Sequence, residues 1–144
     1  TSVELRWRAA GRAVSMVLHL FERSAAVAHS LLSGISQRLA LLQEGALAPG
    51  SVVVDVGAAL GAFAIAVALS FPHLRVFAIE PAPQNFRYML WNLRANNVTH
   101  RVWPLNIALR GPADPGGAAL RYSPIWPTVS SICPSAAEAD CEFV

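Results

Sequence analysis

From about residue 13 onward the apolar positions recur at helical spacing. Val14, Val17, Leu18 and Phe21 fall at i, i+3, i+4 and i+7. Ala28, Leu31, Leu32 and Ile35 repeat the pattern, and Leu39 and Leu42 continue it. This predicts an N-terminal helical region over residues 1–45 with one buried face. Gly34 weakens the second stretch, and the breakers in GALAPG, Gly45 to Gly50, end it.

The pattern then changes. Ser51 to Val56 is a continuous β-branched run, the mark of a strand buried on both faces. Gly57 to Gly61 reads as a tight turn. Ala62 to Ser70 reads as a small-residue helix stopped by Pro72. Arg75 to Ile79 is a second short strand, closed by Glu80-Pro81. A helix follows, with Pro83 in its first turn, Phe86, Leu90 and Leu93 on its apolar face, Met89 beside them, and Asn96-Asn97 at its end. His100 to Leu109 is a third strand. Pro104 inside it cannot donate to a ladder, so this strand belongs at a sheet edge or at a bulge. Strand–helix–strand–helix–strand is the signature of an α/β fold with a parallel sheet and helical crossovers. Arg110 to Gly117 reads as a loop, the AALRY stretch ending at Tyr122 as a further strand, Pro124 to Pro134 as irregular, and the terminal CEFV as the start of another strand.

Composition narrows the class. The chain has 144 residues, 54% hydrophobic and 14% charged, which supports one packed domain and excludes wholesale disorder. All eleven basic residues are Arg, scattered along a chain of net charge +2, with no basic run of the kind that nucleic acid selects. Cys133 and Cys141 fit no zinc spacing and form no disulfide framework; two small semi-buried thiols is the reading. His19, His29, His73 and His100 show no metal spacing, so no metal site is expected, and they read as surface or core residues. The four tryptophans read as core. Arg12 followed by Ala13 to Phe21 imitates a signal peptide, but Glu22 and Arg23 interrupt it, and a cytoplasmic protein is favoured. The apolar run is too short to span a bilayer.

The candidate chemistry lies in the glycine turn. A dinucleotide fingerprint starting at Gly57 would need glycines where Ala59 and Ala62 stand, and a phosphate-binding loop would need a lysine, which the chain lacks. What is present is Asp-x-Gly-x-x-x-Gly, formed by Asp55, Gly57 and Gly61, with Glu80 ending the next strand. Such a set suits a ligand that is cationic at one end and carries a ribose. Gly57 admits close approach of the backbone. Asp55 can order the turn or accept from an ammonium, and Glu80 can accept from vicinal ribose hydroxyls. Ligands of open α/β sheets sit beyond the strand C-termini, where these residues would converge.

That set resembles the nucleotide pocket of S-adenosylmethionine-dependent methyltransferases with the doubly wound, mainly parallel, Rossmann-like fold. The resemblance sharpens downstream. Asp55-Val56-Gly57-Ala58, Glu80-Pro81-Ala82-Pro83-Gln84-Asn85-Phe86, Leu90-Trp91-Asn92-Leu93 and Asn106-Ile107-Ala108-Leu109 resemble, in order and spacing, the motifs of the FkbM-type methyltransferases. The match covers about Val52 to Leu109 and extends weakly through Ser130-Ser131. That family has Asn where this chain has Ala59. The resemblance implies S-adenosylmethionine as cofactor, held by Asp55, Gly57, Ala58, Gly61, Glu80, Pro81 and Asn106, with Asn106 framing the adenine or bonding only to backbone. Asn85 and Asn92 read as helix-terminal or packing residues. It also implies methyl transfer to oxygen of a small-molecule or glycan-like acceptor, with no nucleic acid, and no residue is assigned as general base. Residues 46–144 would then be a partial methyltransferase domain, C-terminally truncated. It would hold the cofactor half, bind cofactor weakly and lack catalytic competence alone. An RNA methyltransferase of the same fold, a nicotinamide-dependent dehydrogenase and a non-catalytic Rossmann-like domain are the alternatives.

Overall fold

A computed structural model describes residues 2–9, 11–21, 25–42, 47–109, 119–122, 130–132 and 141–143. The elements run β1 (Ser2–Ala9), β2 (Arg12–His19), α1 (Ala25–Leu41), β3 (Val52–Val56), α2 (Ala62–Ser70), β4 (Arg75–Ile79), α3 (Pro83–Ala95), β5 (Val102–Leu105), β6 (Ala119–Tyr122), β7 (Ser130–Ile132) and β8 (Cys141–Phe143).

The N-terminal region corrects the helical expectation. β1 and β2 pair antiparallel as a hairpin, with Ala9 opposite Arg12 and Ser2 opposite His19. Of the described residues in this region, those from Ala25 to Leu41 are helical. The reason lies in a second periodicity in the same residues. Val3, Leu5 and Trp7 alternate with Glu4, Arg6 and Arg8, and Val14, Met16, Leu18 and Leu20 alternate in turn. Period two puts each set on one face of a strand. Leu5, Met16, Leu18 and Leu20 are buried accordingly. Gly11, at φ +74°, serves the connection between the strands.

β3, β4 and β5 form a parallel sheet in that order, with Val53 opposite Val76 and Val76 opposite Val102. Two right-handed crossovers stepping in one direction place α2 and α3 on the same face. Asp55, Val76, Ala78 and Val102 point to that covered face and are buried. The expectation that β3 is covered on both faces is therefore corrected: Val52, Val54 and Val56 stay 49%, 55% and 60% exposed. Pro104 sits on β5, which is an edge strand among the described residues, where the missing donor is tolerated. The third strand is shorter than read from sequence, ending at Leu105.

α2 is buried almost all round, from Ala64 to Ala68. It packs against α1, α3, β2 and the parallel sheet. Its alanines let these elements approach closely, which a helix of larger residues would prevent. Ile35 and Leu39 of α1, Met89 and Leu93 of α3 and the hairpin's buried face complete one core.

β6 pairs antiparallel with both β7 and β8. The strands read at AALRY and CEFV are present. Ser130 to Ile132, read as irregular, is a strand, while Cys133 and Trp126 lie outside the described residues. Trp91 and Trp103 are 55% and 39% exposed, so the core reading fails for both; Trp91 stacks on His19 at 4.1 Å. No helix among the described residues is long and apolar enough to cross a membrane.

Candidate functional site in the glycine turn

The turn after β3 is held by its backbone. The Gly57 and Ala58 amides both donate to the Ile79 carbonyl at 2.9 Å, and the Gly61 amide donates to Ala58 at 2.8 Å. Three residues take left-handed conformations: Gly57 at φ +76°, Ala59 at φ +49° and Gly61 at φ +81°. The two glycines answer different needs. A Cβ on Gly61 would stand 2.8 Å from Met89 Cγ, so Gly61 is set by helix packing. A Cβ on Gly57 would meet no atom within 4 Å, so that backbone faces open space that a ligand can fill.

Glu80 is buried and ties the turn to the next element. One carboxylate oxygen accepts from the Ala59 amide at 2.8 Å; the other accepts from the Ala82 amide at 2.9 Å and from Asn85 Nδ2 at 3.3 Å. Asn92 supports the turn from behind, its Nδ2 donating to the Leu60 carbonyl at 2.9 Å and also to the His19 carbonyl. Asn106 Nδ2 donates to the carbonyls of Glu80 and Pro81, at 2.8 and 2.9 Å. Of the two roles read for Asn106, backbone bonding is the one its amide nitrogen fills here.

Asp55 is 7% exposed, and its Oδ2, like Oδ1 of Asn85, is buried without a hydrogen-bond partner. Burial pushes its carboxyl above the ordinary value. The positive charge of Arg38 and a hydrogen bond from the Ala64 amide oppose that rise, and the Glu80 carboxylate adds to it. Ala64 lies in the first turn of α2, whose N-terminal residue Gly61 has no side chain to offer a cap. The start of α2 thus acts on the Asp55 carboxyl through the Ala64 amide, while Oδ2 stays unsatisfied.

The unsatisfied carboxylate belongs to a cavity of about 370 Å³, within the size range of small-molecule sites. Asp55, Gly57, Ala58 and Ala59 line one side. Gly34, Ile35 and Arg38 of α1 and Phe63 of α2 line the rest. The structure thus brings together Asp55, Gly57 and Ala58 of the sequence-read set. Gly61, Glu80, Pro81 and Asn106 stand behind the turn or at the end of β4, outside the cavity lining. The α1 contribution was not read from the sequence. Gly34, taken there only as a weak point of the helix, faces the cavity, and nothing local marks a helical Gly or Arg as part of a site two elements away.

Residues 33–114 match the model of the TRM5/TYW2 methyltransferase domain. The chain belongs to that family. It is a class I methyltransferase domain, and S-adenosylmethionine is its cofactor. Among curated proteins, the chain is 50% identical over 56 residues to the 31-O-demethyl-FK506 methyltransferase FkbM of Streptomyces tacrolimicus, covering 39% of this chain and 20% of that protein. It is 32% identical over 82 residues to the methyltransferase sdnD of Sordaria araneosa, covering 57% and 31%. Among solved structures, TYW2 of M. jannaschii in complex with AdoMet is 24% identical, covering 71% of this chain and 42% of that one, at a TM-score of 0.44. The chain spans between a fifth and a third of the length of the two curated relatives. The residues present fit the cofactor of this domain at its amino-acid end: an orphaned buried carboxylate for an ammonium, and an open glycine beside it.

Proposed function

We propose that the protein transfers a methyl group from S-adenosylmethionine to a hydroxyl of a small-molecule or glycan-like acceptor, this chain supplying the donor-binding part. The observation that carries the donor half is the buried, unpartnered Oδ2 of Asp55 at a cavity beside Gly57. An ammonium placed there gives the carboxylate the partner it lacks. Gly57 allows the ligand to lie against the backbone. When bound, S-adenosylmethionine supplies a methyl activated by its sulfonium. This chain's residues fix the donor and exclude water, so that an acceptor oxygen can approach in line. Asp55, Gly57 and Ala58 contact the ligand in this reading. Gly61, Glu80, Pro81 and Asn106 hold the turn in shape, Glu80 through the three donors its carboxylate accepts from.

The acceptor half is supported by the identity with a protein whose name gives 31-O-demethyl-FK506 as its substrate, and by a net charge of only +2 without a basic run. A second reading, methyl transfer to RNA, is favoured by the match to the TRM5/TYW2 domain. The two are separated by incubating the protein with methyl-labelled S-adenosylmethionine and either hydroxylated small molecules or total tRNA. Label in a small molecule as a base-stable ether supports the first. Label in tRNA, with RNA affinity falling steeply as salt rises, replaces it with the second.

A further inference from the structure

We propose that Arg38 of α1 recognises the carboxylate of the cofactor's amino-acid end, so that Arg38 and Asp55 together select a zwitterion. This rests on the reading of the cavity as the methyl-donor site.

Asp55 and Arg38 reach the same cavity from different elements, β3 and α1. They do not form an ion pair; the one salt bridge among the described residues joins Arg6 to Glu4. Yet the Arg38 charge acts on the Asp55 carboxylate. Opposite charges that sense each other across a cavity without meeting leave room for a group bearing both charges in reverse. An α-amino acid is such a group, with its ammonium facing Asp55 and its carboxylate facing Arg38.

Three further observations agree. Arg38 carries no hydrogen bond among the described residues, so its donors are available. Its guanidinium lies over the Phe63 ring, 5.7 Å from the centroid, and Phe63 lines the cavity as well. Stacking of this kind restrains a long side chain before the ligand arrives, which reduces the entropy lost on binding. Gly34, one helical turn before Arg38, keeps that wall of α1 free of side-chain bulk.

The test compares S-adenosylmethionine with its decarboxylated form, which keeps the adenosine, the sulfonium and the ammonium but lacks the carboxylate. Calorimetry on the intact protein should show a preference for S-adenosylmethionine of about tenfold or more. In Arg38→Gln the preference should vanish, through loss of S-adenosylmethionine affinity alone, and Arg38→Lys should keep part of it. Arg38 is exposed, so both variants should fold, which their melting temperatures report. A preference that persists in Arg38→Gln overturns the assignment. So does equal binding of the two ligands by the unsubstituted protein, although the methyl-donor reading survives that result. Failure of both ligands to bind folded protein overturns both.

Discussion

Asp55 is unfavourably placed in the fold. Its carboxylate is buried with one oxygen unsatisfied, and its carboxyl holds its proton to higher pH when folded than when unfolded. For an acid raised in this way the folded state binds more protons. Its contribution to stability is therefore fully present below the unfolded value, falls as pH rises through the folded one, and stays lost above it. Asp55→Asn keeps an oxygen for the Ala64 amide and removes the charge. The variant should be more stable than the parent at neutral pH, by about 1 kcal/mol or more, and this gain should shrink toward acid pH. Melting curves from pH 3 to 8 check it; a gain that does not change with pH would contradict the account. Ala59 shows a second local cost. It sits at φ +49°, where a Cβ is disfavoured, and here Asn of the resembling family would be better tolerated. Ala59→Gly should raise stability by up to about 1 kcal/mol, read as a shift in the denaturation midpoint. Gly61→Ala should do the opposite, losing about 1–3 kcal/mol, because the added Cβ meets the buried Met89 in a left-handed turn. These conformations explain why the glycine spacing was readable from sequence. The orphaned oxygen was not, because whether a carboxylate finds a partner depends on neighbours that spacing does not place.

At the scale of elements, α3 does more than cross over the sheet. Asn92 and Asn96 lie one helical turn apart and face the edge of β2 that no described strand pairs. The Asn96 side chain accepts from the Val17 amide at 2.8 Å and donates to the Val17 carbonyl. Asn92 does the same with His19, accepting at 2.6 Å. Residues two apart on a strand present their backbone groups to the same side, and asparagines four apart on a helix match that spacing well enough to replace the missing ladder. The hairpin edge is thus covered by side-chain amides, a way of blunting an edge that would otherwise pair with another chain. Asn96→Ala should destabilise the hairpin by about 1 kcal/mol or more and raise amide hydrogen exchange at Val17 while leaving β4 protected. Equal exchange at Val17 in parent and variant would contradict it. The βαβαβ core was legible because each of its strands and helices has one dominant pattern. Ala62 to Ser70 and Arg75 to Ile79 match their observed bounds. The hairpin was misread because Val14, Val17, Leu18 and Phe21 satisfy a helical template by chance, while the alternation through Met16 and Leu20 decides the burial.

At the largest scale, the parallel sheet has, among the described residues, one covered and one exposed face. Val52, Val54, Val56, Trp103 and Leu105 form an exposed apolar surface, and β3, whose other edge is unpaired among the described strands, lies along it. Such a surface favours self-association. Val54→Thr combined with Val56→Thr should leave the melting temperature within about 2 °C, since neither side chain is buried, and should lower light scattering at high protein concentration. From β3 to β5 the order of elements was legible in the sequence, but the exposed face was not, because a β-branched run looks the same whether one or both of its faces are covered.

The most direct test of the account is calorimetric titration of S-adenosylmethionine, with NAD as comparison, into the protein and into Asp55→Asn. Asp55 is the better choice than Glu80, since losing the Glu80 carboxylate would also release the Ala59 and Ala82 amides and disturb the turn without any ligand. The account predicts that S-adenosylmethionine binds and NAD does not, and that Asp55→Asn weakens S-adenosylmethionine by about tenfold or more while melting no lower than the parent. Undiminished binding in Asp55→Asn, or a preference for NAD, would contradict it.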